Sequence, residues 1–156
     1  MFRARSFIAL ALVAACLAPV SALAAVKPPE DPAKIQVAVA PEAVAAGGQV
    51  EVTVKVTPDT GIKINRYPKV SLKVAEVEGL VAAAETSVGD KTAPPPEKMK
   101  GNVFKTVDPL VLTLALSEDA KPGEHKITAK LKYTFCLTSD ACFLKRETVR
   151  IPVTVR

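Results

Sequence analysis

Gly123-Glu124-His125-Lys126-Ile127-Thr128-Ala129-Lys130-Leu131-Lys132-Tyr133-Thr134-Phe135 sets His125, Ile127, Ala129, Leu131, Tyr133 and Phe135 against Lys126, Thr128, Lys130, Lys132 and Thr134. Alternation at period two is what a strand with one buried face requires, because successive side chains point to opposite sides of the sheet. Carried one residue further, the parity puts Cys136 on the lysine side. Beyond Cys136-Leu137-Thr138-Ser139-Asp140-Ala141-Cys142 the pattern resumes, with Val149, Ile151, Val153 and Val155 against Arg150, Pro152, Thr154 and Arg156. Two strands therefore enter and leave a short loop with a cysteine at each end.

Working outward, the same period recurs in Ile35, Val37, Val39; in Val50, Val52, Val54, Val56; in Val70, Leu72, Val74; and in Leu110, Leu112, Leu114, Leu116. Gly47-Gly48, Pro58-Asp59-Thr60-Gly61, Tyr67-Pro68, Gly79 and Lys121-Pro122-Gly123 punctuate these runs with turn chemistry. Ile62 and Ile64 begin a further short strand. The one stretch with a case for helix is Leu80 to Thr86. Seven or so strands with almost no helical spacing predict an all-β, immunoglobulin-like two-sheet β-sandwich, with Val50, Val52, Val54, Leu112, Leu114, Ile127, Leu131 and Ile151 in its core. The chain contains no tryptophan, so the cysteine–tryptophan–cysteine pattern of antibody domains is absent. The disulfide is not expected to link the two sheets.

The amino terminus sets the compartment. Arg3 and Arg5 precede an apolar run from Ser6 to Val20, and Ala22-Leu23-Ala24 is a small-residue cleavage signal before Ala25. Pro19, Ser21 and the alanines break the run before it reaches the roughly 20 apolar residues of a membrane span. Residues 1–24 read as a signal peptide, 25–33 as a proline-rich, extended leader and 34–156 as the folded domain. A second route is written into Val13-Ala14-Ala15-Cys16, which matches a lipobox and would anchor a lipoprotein through Cys16. The apolar continuation from Leu17 to Val26 favours simple cleavage, and hence a periplasmic or secreted protein without a transmembrane helix in its mature chain. Arg3 and Arg5 supply two of the net charge of +5. The other cations are scattered among glutamates without interleaved aromatics, which argues against nucleic acid as a partner. In an oxidising compartment, Cys136 and Cys142 form an even pair and predict one disulfide.

A loop of about seven residues constrains the unfolded chain by only about 2.4 kcal/mol, against about 4.7 for one of 100 residues. Such a bond is a weak staple. Its loop sits between strands, with Cys136 outward and Lys132, Lys145 and Arg146 close in sequence, and cations favour the thiolate that exchanges. On that reading Cys136 is the sulfur a partner attacks.

Tyr133-x-x-Cys136-x-x-x-x-x-Cys142 resembles the redox loop of the amino-terminal periplasmic domain of the thiol:disulfide interchange protein DsbD. Gly61-Ile62-Lys63-Ile64-Asn65 is similar to the Gly-x-x-x-Asn segment of such domains, and the resemblance spans about Ile35 to Val155. It implies an immunoglobulin-like fold with Cys136 and Cys142 as the redox pair and Tyr133 as a packing neighbour. It also implies electrons taken from a membrane-embedded donor and passed to thioredoxin-like periplasmic proteins. With no donor domain after Arg156, that donor is expected to be a separate protein. Two features depart from the family. Phe143 is followed by Leu144-Lys145-Arg146 rather than by prolines, and the stretch from Thr92 to Phe104 offers Met99 or Phe104 as the cap over the sulfurs, where the family uses acidic and aromatic residues.

Other chemistry is sparse. His125, the single histidine, would lie about 36 Å along the strand from Cys136 and reads as a strand-start residue. Glycine-rich phosphate loops and Cys-x-x-Cys spacing are missing, so neither cofactor nor metal is expected. Glu76, Glu78, Glu85 and Asp90 read as solvated carboxylates. Two functions fit: an exported redox relay, and a non-catalytic immunoglobulin-like envelope binding module with a structural disulfide.

Overall fold

The computed structural model describes residues 26–156; the expected signal segment, with Ala22-Leu23-Ala24 and Cys16, lies outside the described residues. Nine strands follow in order: β1 (Ala33–Ala40), β2 (Ala43–Val44), β3 (Gln49–Pro58), β4 (Ile62–Ile64), β5 (Val70–Val74), β6 (Ala84–Val88), β7 (Leu110–Ala115), β8 (Gly123–Leu137) and β9 (Cys142–Val155). One short 3-10 helix, Pro96–Gly101, lies between β6 and β7. Among the described residues no helix is long and apolar enough to cross a membrane.

The strands form two sheets. One is three-stranded in the order β1-β3-β7; the other runs β2-β9-β8-β5-β6, with β4 pairing β8 beyond the end of β5. All pairings are antiparallel except the short one between β2 and β9. The apolar faces of both sheets share one core, to which β3 contributes Val50, Val52, Val54 and Val56 and β8 contributes Ile127, Ala129, Leu131, Tyr133 and Phe135. Every core residue expected from the alternation is buried. Each fully buried Val, Leu or Ile stabilises by roughly 1.5–3 kcal/mol, so a one-residue slip of β8 would expose that whole set and bury its lysines. That penalty fixes the register.

Two local expectations change. Leu80 to Thr86 is not helical: Val81 bridges Val77 and Leu116, and β6 pairs with β5 from Val70↔Val88 to Val74↔Ala84. The segment is too short to hold a helix alone, and the ladder offered by β5 decides its state. The proline-rich leader does not stand off as a tether either. Pro32 is buried, its carbonyl accepts from the Asp59 amide at 3.0 Å, and the Glu30 carbonyl accepts from Lys145 Nζ. The first strand begins at Ala33.

Candidate functional site

The site is built at the tip of the β8–β9 hairpin. Fourteen residue pairs, from Gly123↔Val155 to Cys136↔Cys142, hold these two strands together. The Leu137 amide donates to Ala141 O at 2.9 Å and the Asp140 amide to Leu137 O at 3.0 Å, closing a three-residue loop. Asp140 takes the left-handed conformation at φ 64°, the backbone that such loops require at their last position and that Asp tolerates better than most residues. Because Leu137 and Ala141 carry the ladder bond, the next pair outward is of the non-hydrogen-bonded kind, where Cα atoms approach most closely. Cys136 and Cys142 occupy that pair, with Cα atoms 4.0 Å apart and a disulfide between them.

Parity puts the disulfide on the outer face of the sheet, as the alternation predicts. Cys136 is nonetheless half-buried while Cys142 is exposed. Cys142 is therefore the more exposed residue of the pair. The shielding of Cys136 comes from β4, whose register sets Lys63 directly across from it and Asn65 just beyond. Asn65 Oδ1 lies 3.1 Å from Cys136 Sγ. An oxidised sulfur has no proton to donate, so in the disulfide this is a contact; in the dithiol it becomes S–H···O, and rotation of the amide presents its N–H2 to a thiolate. Cys142 Sγ lies 3.6 Å from the Asp140 carbonyl oxygen.

Around the sulfurs opens a groove of about 470 Å³, with Lys63, Asn65, Tyr67, Met99 and Lys100 among its walls. Met99, one of the two expected caps, is 47% exposed and lines it. Phe104, the other, is not part of it: its ring is buried in the core with the Arg66 guanidinium 5.1 Å above. Lys145 is also displaced from its expected role. Three residues from Cys142, it falls on the opposite face, pairs with Tyr133 and bonds the leader. Arg146 and Lys132 do share the disulfide's face, four residues down the strands, at a distance of about 13 Å.

The segment carrying Met99 is fastened at its base. Arg66 Nε donates to Asp90 Oδ1 at 3.2 Å and Asn102 Nδ2 to Asp90 Oδ2 at 2.9 Å, while the Arg66 amide donates to Asn102 O and the Phe104 amide to Ile64 O. The bond from Asn102, then that from Arg66, holds the Asp90 carboxyl below its ordinary range. Asp90 is thus a clasp rather than the solvated carboxylate expected. Gly89 beside it has φ 108°, and a Cβ there would lie 2.4 Å from Arg66 O, so the exit from β6 is reserved for glycine. At its far end the segment meets the hairpin through the exposed Lys100–Asp140 pair, 3.1 Å.

Tyr133 is buried on the core side, packed at 6.4 Å against Phe135, which in turn meets Phe143 at 5.7 Å. Its hydroxyl donates to Glu147 Oε1 at 2.5 Å, and burial, with that carboxylate second, drives the phenol pKa far upward. Tyr133 thus packs within the core, on the face opposite the disulfide, rather than beside the sulfur pair. His125 Nε2 donates to Lys121 O at 2.7 Å and closes the turn into β8. Lys63 and Asn65 are the site residues that the sequence reading did not single out. Their only signal was the Gly-x-x-x-Asn segment itself.

Compared with known proteins, the chain matches no family model and no curated protein. Among solved structures it is similar to murine CRIg, at 14% identity over 79% of this chain and 98% of that one, with a TM-score of 0.39.

Proposed function

We propose that the chain is an exported thiol–disulfide exchange module, an immunoglobulin-like sandwich whose Cys136–Cys142 pair cycles between disulfide and dithiol in the periplasm. The observation that carries this reading is the placement of the bond. It joins two residues that the long β8–β9 ladder already holds as neighbours, and it sets both cysteines on a groove, Cys142 the more exposed, instead of tying the two sheets together.

The chemistry follows from the surroundings of each sulfur. A partner thiolate attacks Cys142 Sγ, forming a mixed disulfide as the Sγ–Sγ bond breaks and Cys136 leaves with the electron pair. Asn65, with its amide turned, and the cation of Lys63 across the strand stabilise that thiolate, which lowers the barrier to leaving. The partner's second thiolate then attacks its own mixed-disulfide sulfur and releases Cys142. One disulfide and one dithiol exchange two electrons, and the protons follow the thiolates. The partners on this reading are thioredoxin-like proteins and a separate membrane electron donor, and Met99 is one wall of the groove they enter.

The test mixes oxidised protein with a reduced thioredoxin-like protein that lacks its resolving cysteine. A mixed disulfide mapped by mass spectrometry to Cys142 is expected. Absence of any adduct, together with a bond that resists dithiothreitol until the chain unfolds, would leave the structural-disulfide binding module in its place.

A further inference from the structure

The outer face of the six-stranded sheet carries an uneven charge. Register places Lys73 beside Lys130, Lys132 beside Arg146, Lys126 beside Pro152 and Arg150 beside Thr128, all on the face that holds the disulfide. These six cations are exposed and are opposed on that face by Glu85 and Glu124. Ion pairs among the described residues are Arg66–Asp90 and Lys100–Asp140, so none of the six is in an ion pair among those residues. The outer face of the other sheet has only Lys34 and Lys55 against Glu51. Charge is concentrated on one side of the molecule.

From the composition alone this was invisible, because the same lysines read as a scattered solvated face. The topology gathers them. Three adjacent strands, β5, β8 and β9, bring residues distant in sequence into one field, with a depression of about 350 Å³ among Lys73, Lys130, Lys132 and Arg146. Measured along β8, the cations lie about 13 to 33 Å from the sulfur pair. A standard protein interface of about 800 Å² per partner is about 32 Å across, so one partner can cover Lys73, Lys130, Lys132 and Arg146, within about 20 Å of the sulfur pair, and reach Cys142 together.

We infer that this face docks a protein partner whose reactive thiol lies at the edge of an acidic surface. The inference rests on the exchange reading and names the partner's chemistry. The occupant is a protein rather than a lipid surface because the basic field is continuous with the exposed sulfur, which an acidic protein bearing a thiol can reach in the same encounter. A predominantly positive field of this size, six cations against two carboxylates, steers opposite charge and raises association rates by roughly 10- to 1,000-fold at low salt.

The experiment measures second-order reaction of the oxidised full chain with three cysteine peptides that differ only in flanking residues: six glutamates, six serines or six lysines. At about 10 mM salt, where the screening length is about 30 Å, the glutamate peptide is expected to react at least tenfold faster than the serine peptide. At about 1 M salt the difference should fall below twofold, since screening then acts within about 3 Å. K73E/K130E/R146E should abolish the preference, and K34E/K55E on the other sheet should keep it. Should the triple reversal fail to fold, K73Q/K130Q/R146Q should show a reduced preference. Equal rates for the three peptides on the wild-type chain, or a preference that survives the triple change, would overturn the inference. So would binding to phosphatidylserine vesicles without peptide discrimination, which would assign the face to a lipid. Reduction of the wild-type chain by uncharged dithiothreitol reports on exchange alone: success there with no peptide preference removes the docking surface and leaves the exchange reading intact.

Discussion

Removing the disulfide should leave this protein folded, and the cost can be worked from its position. The bond closes a loop with a sequence separation of 6, so it constrains the unfolded chain by about 2.4 kcal/mol. In the native state it joins residues that the ladder and the 3.0 Å turn bond of Asp140 already hold together. That figure is accordingly close to the whole effect. With an m-value of about 2 kcal/mol per molar urea, Cys136→Ser/Cys142→Ser should lower the denaturation midpoint by about 1.2 M without changing the slope. Linkage supplies a second reading of the same quantity. What the disulfide adds to folding, folding adds to the disulfide, so the pair in the folded chain should be harder to reduce than in the unfolded chain by about 50 mV. Urea titrations of the oxidised, dithiothreitol-reduced and double-serine forms, followed by circular dichroism, measure the first; redox titration in buffer and in denaturant measures the second. A reduced chain that is unfolded in buffer, or a loss above about 5 kcal/mol, would refute the reasoning and make the bond a staple.

Three further outcomes are expected. Asn65→Ala should slow alkylation of Cys136 by iodoacetamide in the reduced chain at neutral pH, because a hydrogen bond to a charged group is worth roughly 1.5–3 kcal/mol; mass spectrometry resolves the two cysteines and reads it. Asp90 has a lowered carboxyl pKa, so its contribution is full above the unfolded pKa of about 3.9 and is lost as pH falls through the folded value. Protection of the Arg66 and Asp90 amides against hydrogen exchange, taken relative to the intrinsic rate at each pH, should therefore fall below about pH 4 in the wild type, while Asp90→Asn should show no such step. Tyr133→Phe should destabilise by about 1–3 kcal/mol, by leaving the half-buried Glu147 carboxylate without its donor, yet leave the rate of disulfide reduction unchanged within about twofold. A slowed reduction would place Tyr133 in the exchange chemistry and contradict its position on the core face.

The strands of the hairpin and the core were legible because a buried face leaves a period-two record: Ile127, Leu131 and Ile151 could sit nowhere else without exposing their neighbours. The outward parity of Cys136 was legible for the same reason. Its exposure was not, since the shielding comes from Asn65, 71 residues away, and no local pattern encodes which strand covers a sulfur. Lys145 was misread through sequence proximity: three residues from Cys142 is an odd step, and an odd step crosses the sheet. Phe104 was misread because an aromatic residue in a polar loop looks like a cap, whereas Arg66 covers its ring and holds it inward. β6 escaped notice because its pattern, Ala84-Glu85-Thr86-Ser87-Val88, has one strongly apolar residue and is a strand only by pairing with β5.

The anchoring of Glu30 and Pro32 gives the molecule a polarity that matters for anything fused to it. Glu30 and Pro32 lie beside Lys145 and Asp59, near the pole of the hairpin tip, whereas Arg156 leaves β9 next to Gly123, about 36 Å from Lys145 along the strand. A reductase domain joined upstream of Val26 through a short flexible linker would sample the sulfur pair at millimolar effective concentration, with exchange becoming intramolecular. The same domain joined after Arg156 would need a linker long enough to travel the length of the sandwich, and its local concentration would fall with roughly the three-halves power of that length. Order of fusion would thus set the rate with no change in any residue of the site.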